Sequence, residues 1–122
     1  MKLKCQHISI NMSDKKPMRE FYIDKLRLDL LEEEEHFFAA SAGAVRFSFF
    51  VGAKKYPVNE DAAGFSIILR TENILKAKEE LIGKGIKLLE DIVEARGFMK
   101  YFSVEDPDNN LIFIAEYLRE PV

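Results

Sequence analysis

Apolar and polar residues alternate from the start of the chain. Residues 4–12, KCQHISINM, follow the two-residue period of a β-strand. The next segment, SDKKPMREFYIDKL, changes to helical spacing, and Ser13 or Asp14 is placed to cap that helix. Its apolar face comprises Met18, Phe21, Tyr22 and Leu26. The pattern therefore predicts a strand followed by an amphipathic helix.

Three further strands are predicted at residues 28–33, 36–41 and 44–51. After the polar segment GAKKYPVNEDAAG, the same order begins again with FSIILR at 65–70. The segment TENILKAKEELIGKGI predicts a helix with Thr71 as a candidate cap and Gly85 as its terminator. The chain then continues through three strand-like pieces, IKLLED, KYFSVED and NLIFIAEY.

The two halves of the chain repeat one order of elements, strand, helix and three strands. Each four-stranded sheet has an apolar face that needs cover, and two copies of the unit can supply it for one another. We therefore predict an α+β fold of two βαβββ modules whose paired sheets form a cup. The predicted domain spans 1–122, with module one at about 1–53, a linker at 54–63 and module two at about 64–122.

Length and charge exclude several classes of protein. The chain has 122 residues, 48% of them hydrophobic, which suits one globular domain. Its net charge of −3 provides no cationic face for nucleic acid. No apolar run approaches the about 20 residues that span a bilayer. Cys5 has no partner for a disulfide, so we expect a cytoplasmic protein.

Four segments carry a resemblance to a known family: HISINM, REFYIDKLRLDLL, LKAKEELIGKGIKLLED and above all FSVEDPDNNLIFI. Together they resemble the vicinal-oxygen-chelate superfamily of glyoxalases, bleomycin-resistance proteins, fosfomycin-resistance enzymes and extradiol dioxygenases. In the last segment Asn109 stands where the family has a glycine, a position that needs a positive φ. The resemblance implies two βαβββ modules, a small-molecule ligand and a homodimer.

Metal-dependent members of that family hold Zn, Ni, Mn or Fe with ligands from the first and last strands of each module. Carried onto this chain, the resemblance puts the four ligand positions at His7, Phe47, Phe65 and Phe113. A catalytic zinc needs about three protein ligands, and one imidazole does not meet that number. We therefore predict no metal and no other cofactor. His36 with Glu33 and Glu35 is a weaker candidate metal patch, and a solvated strand edge, charged against edge pairing, is the favoured interpretation.

Glu116 lies near the site that relatives use for a metal ligand. It follows Phe113 by three residues, and an odd shift along a strand turns a side chain to the opposite face. If Phe113 faces the cup, Glu116 faces away from it. We predict a surface carboxylate at Glu116.

The candidate ligand-binding surface is aromatic with a few polar groups. The resemblance puts four phenylalanines on the wall of the cup, where ordinary core packing is the alternative role. Tyr101 and Ser103 share strand parity and are candidates for orienting a ligand, and Ser9 and Asn11 share parity with His7. The predicted ligand-binding residues are His7, Phe47, Phe49, Phe65, Tyr101, Ser103 and Phe113.

The sequence thus predicts a metal-free protein that holds an apolar or aromatic small molecule, similar in mechanism to bleomycin-resistance proteins. One alternative is a metal-dependent glyoxalase-like lyase, dioxygenase or epimerase with His7 as one ligand. The other is a dimeric accessory domain whose cleft is filled by its own side chains. Metal content and stabilisation by small molecules distinguish these readings.

Overall fold

The structure is a computed structural model that describes residues 1–52 and 66–120. The chain divides into two compact units, Met1–Ala62 and Ala63–Val122. The predicted linker at 54–63 lies outside the described residues. Within the described residues, no helix combines the length and the apolar character needed to cross a membrane.

The first unit contains one four-stranded sheet and a helix. Its elements in chain order are β1 (Ile8–Met12), α1 (Lys15–Arg19) continued by a π-helical segment (Glu20–Lys25), β2 (Asp29–Glu34), β3 (Phe37–Ala42) and β4 (Val45–Val51). The strands lie in the order β1-β4-β3-β2. β1 runs parallel to β4, and the two other pairs are antiparallel. This is the βαβββ order that the sequence predicts.

The helix of the first unit begins directly after a capping residue. Asp14 is the N-cap, and its carboxylate accepts a hydrogen bond from the Lys16 amide at 3.2 Å. Met18, Phe21 and Tyr22 are buried against the sheet. The Tyr22 ring lies 4.7 Å from the ring of Phe49, centroid to centroid. This contact identifies the sheet face that the helix covers.

The second unit repeats the first in topology. It comprises β5 (Ile67–Arg70), α2 (Ile74–Gly83), β6 (Leu88–Ala95), β7 (Met99–Glu105) and β8 (Leu111–Tyr117). Its strand order is β5-β8-β7-β6, and β5 is parallel to β8 as β1 is to β4. Two modules of one topology are thus confirmed.

The start of α2 differs from the prediction. Asn73, and not Thr71, is the N-cap, because its side chain accepts a hydrogen bond from the Lys76 amide three residues later at 3.1 Å. Thr71 lies two residues earlier, and its hydroxyl accepts a hydrogen bond from the Asn73 amide at 3.3 Å. The end of the helix agrees with the prediction, since Gly85 adopts a φ of 83° two residues after its last turn.

The turn before β8 has the conformation that its sequence indicates. The buried carboxylate of Asp106 accepts hydrogen bonds from the amides of Asp108 and Asn110, both at 2.9 Å. Asn109 has a φ of 66°, as expected for a residue at a glycine position. This network fixes where β8 begins and therefore which of its residues face the helix.

Two strand lengths depart from expectation. β1 begins at Ile8, so residues 4–7 precede the sheet although their alternation predicts a strand. β6 continues to Ala95, beyond the predicted segment, with register shifts against β7 that no spacing rule indicates. Alternation alone does not show where a partner strand ends, which accounts for both differences.

Candidate functional site

Each sheet has one face covered by the helix of its own unit. We call this the helix-bearing face, and the other the helix-free face. In the second unit the helix-bearing face carries the buried side chains Phe102, Val104, Ile112 and Ile114, with Ile74 and Leu81 of α2 also buried. Because side chains alternate along a strand, the neighbouring residues belong to the helix-free face. A binding surface is sought there, since the helix-bearing face is filled.

The register between β1 and β4 assigns the faces of the first sheet. Ser9 is paired with Ser48, and Asn11 with Phe50, so these side chains share one face. Tyr22 of the helix contacts Phe49, which places Phe49 on the other face. Ser9, Asn11, Ser48 and Phe50 are therefore on the helix-free face.

Phe47 and Phe49 are a correction to the predicted site. Both are buried on the helix-bearing face, at 4% and 0% exposure, and Phe49 stacks on Phe38 with ring centroids 4.3 Å apart. They form the core of the first unit and do not line the surface that carries Ser9 and Ser48. The physical cause is a slip of one residue in the assignment of β4, which turns every side chain to the opposite face.

The repeat identifies the residue that stands in place of Phe47. Ser9 precedes the cap Asp14 by five positions, and Ile68 precedes the cap Asn73 by five. Ser9 pairs with Ser48, and Ile68 pairs with Phe113. Ser48 is therefore the counterpart of Phe113. In RFSFF, polar Arg46 and Ser48 alternate with Phe47 and Phe49. This alternation is the sequence signal that indicates that Ser48, and not Phe47, lies on the helix-free face.

His7 lies immediately before β1 and is exposed. It borders an open groove of about 550 Å³ in the first unit, together with Phe37, Arg46, Ser48 and Phe50 among others. The side-chain oxygen of Asn11, whose strand partner is Phe50, is buried without a hydrogen-bond partner in the described part of the chain. This groove presents polar groups above an aromatic floor.

Tyr101, Ser103 and Phe113 come together on the helix-free face of the second sheet. Ser103 is directly paired with Phe113, and Tyr101 with Ala115. The rings of Tyr101 and Phe113 meet edge to face, with centroids 5.5 Å apart and planes at 78°. The prediction that Tyr101 and Ser103 share one face with Phe113 agrees with this register. Phe65, the remaining predicted member, lies outside the described residues.

Glu116 faces the other way from Phe113, as strand parity predicts, but it is more than a surface carboxylate. It is half-buried, and its Oε1 accepts a hydrogen bond from the Ile74 amide at 3.0 Å. Ile74 is the first residue of α2, where amides lack partners within the helix. Glu116 therefore stabilises the start of α2.

One cluster at the end of β8 was missed by sequence reasoning. Arg70 pairs with Ala115 in register, and its guanidinium lies 5.1 Å from the centre of the Tyr117 ring. Glu120 accepts two hydrogen bonds from Arg70, at 2.7 and 3.1 Å. These contacts join residues 50 positions apart, and no local pattern indicates them.

The donor set on these faces does not fit a metal ion. In residues 1–52 and 66–120, no three histidine, cysteine, aspartate or glutamate side chains lie close enough to hold one. His7 offers one nitrogen, the Ser48 hydroxyl is a weak ligand, and Phe113 has no lone pair. Of the patch considered for His36, Glu35 lies 3.7 Å from the imidazole, but Glu33 does not join them. Instead, Arg19 and Lys15 bind Glu33 and hold its pKa below the usual range.

Comparisons with known proteins agree with this fold. The crystal structure of a glyoxalase/bleomycin resistance protein/dioxygenase from Alicyclobacillus acidocaldarius has a TM-score of 0.73 and 16% identity, covering 93% of this chain and 90% of that one. A virulence protein from Salmonella typhimurium gives 0.72 and 22%, covering 96% and 98%. A lactoylglutathione lyase from Agrobacterium tumefaciens gives 0.72 and 13%, covering 90% of both chains. At these identities the likeness concerns the fold alone.

None of the curated proteins compared with the chain matches it. A sequence profile of the Glyoxalase/Bleomycin resistance protein/Dioxygenase superfamily, by contrast, matches residues 4–114, which is most of the chain. The matched residues run from before β1 into β8 and include the turn at Asp106. The chain belongs to the Glyoxalase/Bleomycin resistance protein/Dioxygenase superfamily.

Proposed function

We propose that the protein binds a small, largely apolar or aromatic molecule on the helix-free face of the second sheet, without a metal ion. The observation that carries this proposal is the edge-to-face pair of Tyr101 and Phe113 on that face. Both side chains are half-buried and retain accessible surface. Ile68, paired with Phe113, is 50% exposed, which extends the apolar surface toward β5.

The chemistry of this surface suits an aromatic ligand. Edge-to-face contacts between rings contribute about 0.5–1.5 kcal/mol beyond the burial of their area. Binding sites for small molecules are mostly apolar and contain a few polar groups that orient the ligand. The hydroxyl group of the half-buried Tyr101 supplies such a group beside Phe113, whereas Ser103, paired with Phe113, is only 4% exposed.

His7 has a separate proposed role within the first unit. It borders the groove that Arg46 and Phe50 also line, and its imidazole can donate or accept a hydrogen bond there. We propose His7 as a polar ligand contact. Phe47 and Phe49 have no part in binding, because they are buried on the helix-bearing face.

The family also supports an enzymatic alternative, since one similar structure is that of a lactoylglutathione lyase. Under that alternative His7 is one ligand of a catalytic metal. The donor set described above supports binding without a metal instead. Elemental analysis of the purified protein tests this point. Stoichiometric Zn, Ni, Mn or Fe that only a chelator removes would favour the enzyme.

Thermal stabilisation by a panel of small aromatic molecules tests the binding function. Ligands that bind only the native state raise its apparent stability. We expect aromatic members of the panel to raise the melting temperature of the natural protein but not that of a Phe113→Ala variant. A Leu75→Ala variant, which changes a side chain 63% exposed on α2, is the matched control and should respond as the natural protein does. No response from any aromatic compound would overturn the proposal.

A further inference from the structure

Arg70 places a cation on the face proposed to bind the ligand. It is the last residue of β5 and is paired with Ala115, two positions after Phe113 on β8. Two residues of a strand span about 7 Å, so the cation and the Tyr101–Phe113 pair are within the length of a two-ring molecule. The small side chain of Ala115 lies between Phe113 and Tyr117 in sequence and is fully buried, with Arg70 and Tyr101 as its paired neighbours.

The guanidinium of Arg70 already holds a carboxylate. Its Nη2 donates to Oε1 of Glu120 at 2.7 Å and its Nη1 to Oε2 at 3.1 Å. This two-pronged geometry is the one by which arginine recognises free carboxylates. Glu120 follows the end of β8 by three residues, and this segment is attached by the bond from the Leu118 amide to the Phe98 carbonyl at 2.8 Å.

The pair is placed where another carboxylate can replace Glu120. The side chains of Arg70 and Glu120 are 49% and 78% exposed, so solvent screens their attraction. The hydrogen bond from Arg70 also holds the pKa of Glu120 below its usual range, so both partners are charged at neutral pH. A carboxylate of a ligand can therefore reach the Arg70–Glu120 ion pair from solvent, and this ion pair is weak enough for the carboxylate to replace Glu120.

Aromatic rings surround this cation. The guanidinium of Arg70 lies over Tyr117, whose ring meets Phe98 edge to face with centroids 5.5 Å apart. The guanidinium of Arg119 lies 5.1 Å from the centre of the Phe98 ring. Two arginines and two rings form a surface that is both positive and aromatic. An anion that carries a ring satisfies both properties.

We infer that Arg70 is the anion-binding residue of the ligand site, that the ligand is an aromatic carboxylate, and that Glu120 occupies Arg70 until the ligand displaces it. This inference rests on the proposed function and names the chemical class of its ligand. The aromatic part lies on Tyr101 and Phe113, and the carboxylate takes the place of the Glu120 carboxylate. Binding exchanges one ion pair for another, and no bond is made or broken.

A different role for the same contact is a simple clasp that attaches the segment after β8 to β5. Under that role, Arg70→Gln and Glu120→Gln both break the ion pair, Arg70→Gln also removes the contact with the Tyr117 ring, and neither changes the affinity for a ligand. Under the inference, the two variants have opposite effects on ligand binding. Arg70→Gln removes the anion site, while Glu120→Gln removes its competitor. The sign of the change in affinity therefore separates the two roles.

The experiment is isothermal titration of the natural protein and of both variants with 2-naphthoate and with its neutral amide, 2-naphthamide. We expect the natural protein to prefer 2-naphthoate. Arg70→Gln should weaken its binding about tenfold, the effect of losing a charge-assisted contact. Glu120→Gln should tighten it about twofold to fivefold, the range for an exposed ion pair. Neither variant should alter binding of 2-naphthamide.

Asp91→Asn is the control, because it breaks an exposed ion pair of similar type, with Lys78 at 2.6 Å, in the same unit. It should leave both affinities unchanged. Equal binding of the two probes, or an unchanged or weaker affinity of Glu120→Gln for 2-naphthoate, would overturn the inference while leaving the proposed function intact. No binding of either probe would also overturn it, and the thermal panel then decides the proposed function separately.

Discussion

The carboxylate of Glu116 on β8 accepts a hydrogen bond from the amide of Ile74, the first residue of α2, at 3.0 Å. The contact joins the last strand of the second unit to its helix. It also involves the carboxylate three residues after Phe113, the position at which the family resemblance puts a metal ligand. Its half-buried position and its partner make it a structural residue.

Glu116→Ala should therefore lower the free energy of unfolding by about 1 kcal/mol, as the loss of a capping interaction does. Glu116→Gln should cost less, because its amide oxygen still accepts the bond. Urea denaturation measures both. Glu79→Ala, at an exposed position of the same helix, is the control. Equal stabilities of the natural protein and Glu116→Ala would contradict this role.

The turn before β8 requires a positive φ of 66° at Asn109, and substitutions there test that backbone conformation. Asn109→Ala should destabilise by about 1 kcal/mol relative to Asn109→Gly, because a β-carbon is strained in the left-handed region. Both variants remove the same hydrogen bond to Glu105, so their difference reports the backbone alone. Thermal unfolding of the two variants side by side measures it. An alanine variant as stable as the glycine variant would be inconsistent with this turn.

The two faces of β4 give a third prediction. Phe49→Ala should lower the free energy of unfolding by about 3–5 kcal/mol, because it empties a fully buried site. Phe50→Ala, on the other face and 40% exposed, should cost less than about 1 kcal/mol. Chemical denaturation compares the pair. If Phe50→Ala were the more destabilising variant, Phe49 would belong to the helix-free face and the register of β4 in the sheet would be wrong.

Low pH should lower the free energy of unfolding of the first unit, because Glu33 becomes protonated and loses its ion pairs. Arg19, and with it Lys15, lowers the pKa of Glu33 in the folded state. The resulting stabilisation is fully present above the unfolded value of about 4.3 and is lost as the pH falls through the lower folded value. The difference in urea midpoint between the natural protein and Glu33→Gln should therefore shrink as the pH falls below about 4. A difference that stays constant over that range would show that Glu33 does not titrate with folding.

Most of the fold could be predicted from the sequence, because alternation, caps and turns are local signals. The order of elements and the turn at Asp106 follow from residues that are neighbours in the chain. Within the candidate site, the sheet face of a residue could be predicted where a local anchor existed. Phe113 lies seven residues after Asp106, so its face was fixed by the turn.

The rest of the site depended on information that is not local. Phe47 has no such anchor, and a slip of one position moved it and Phe49 to the wrong face. The pairing of Ser9 with Ser48, seen only in the sheet, corrects it. Arg70 and Glu120 are 50 residues apart, and only the completed sheet brings them together.

The central claim, metal-independent binding on the helix-free face of the second sheet, is tested most directly by methyl NMR of isoleucine-labelled protein, titrated in the presence of a chelator with an aromatic compound that stabilises it in the thermal panel. Ile68 is on the helix-free face, whereas Ile112 is fully buried on the other. We predict that the Ile68 methyl signal shifts to saturation while that of Ile112 changes little. An unchanged chemical shift of the Ile68 methyl signal, or a change that occurs only after a divalent metal is added, would contradict the claim.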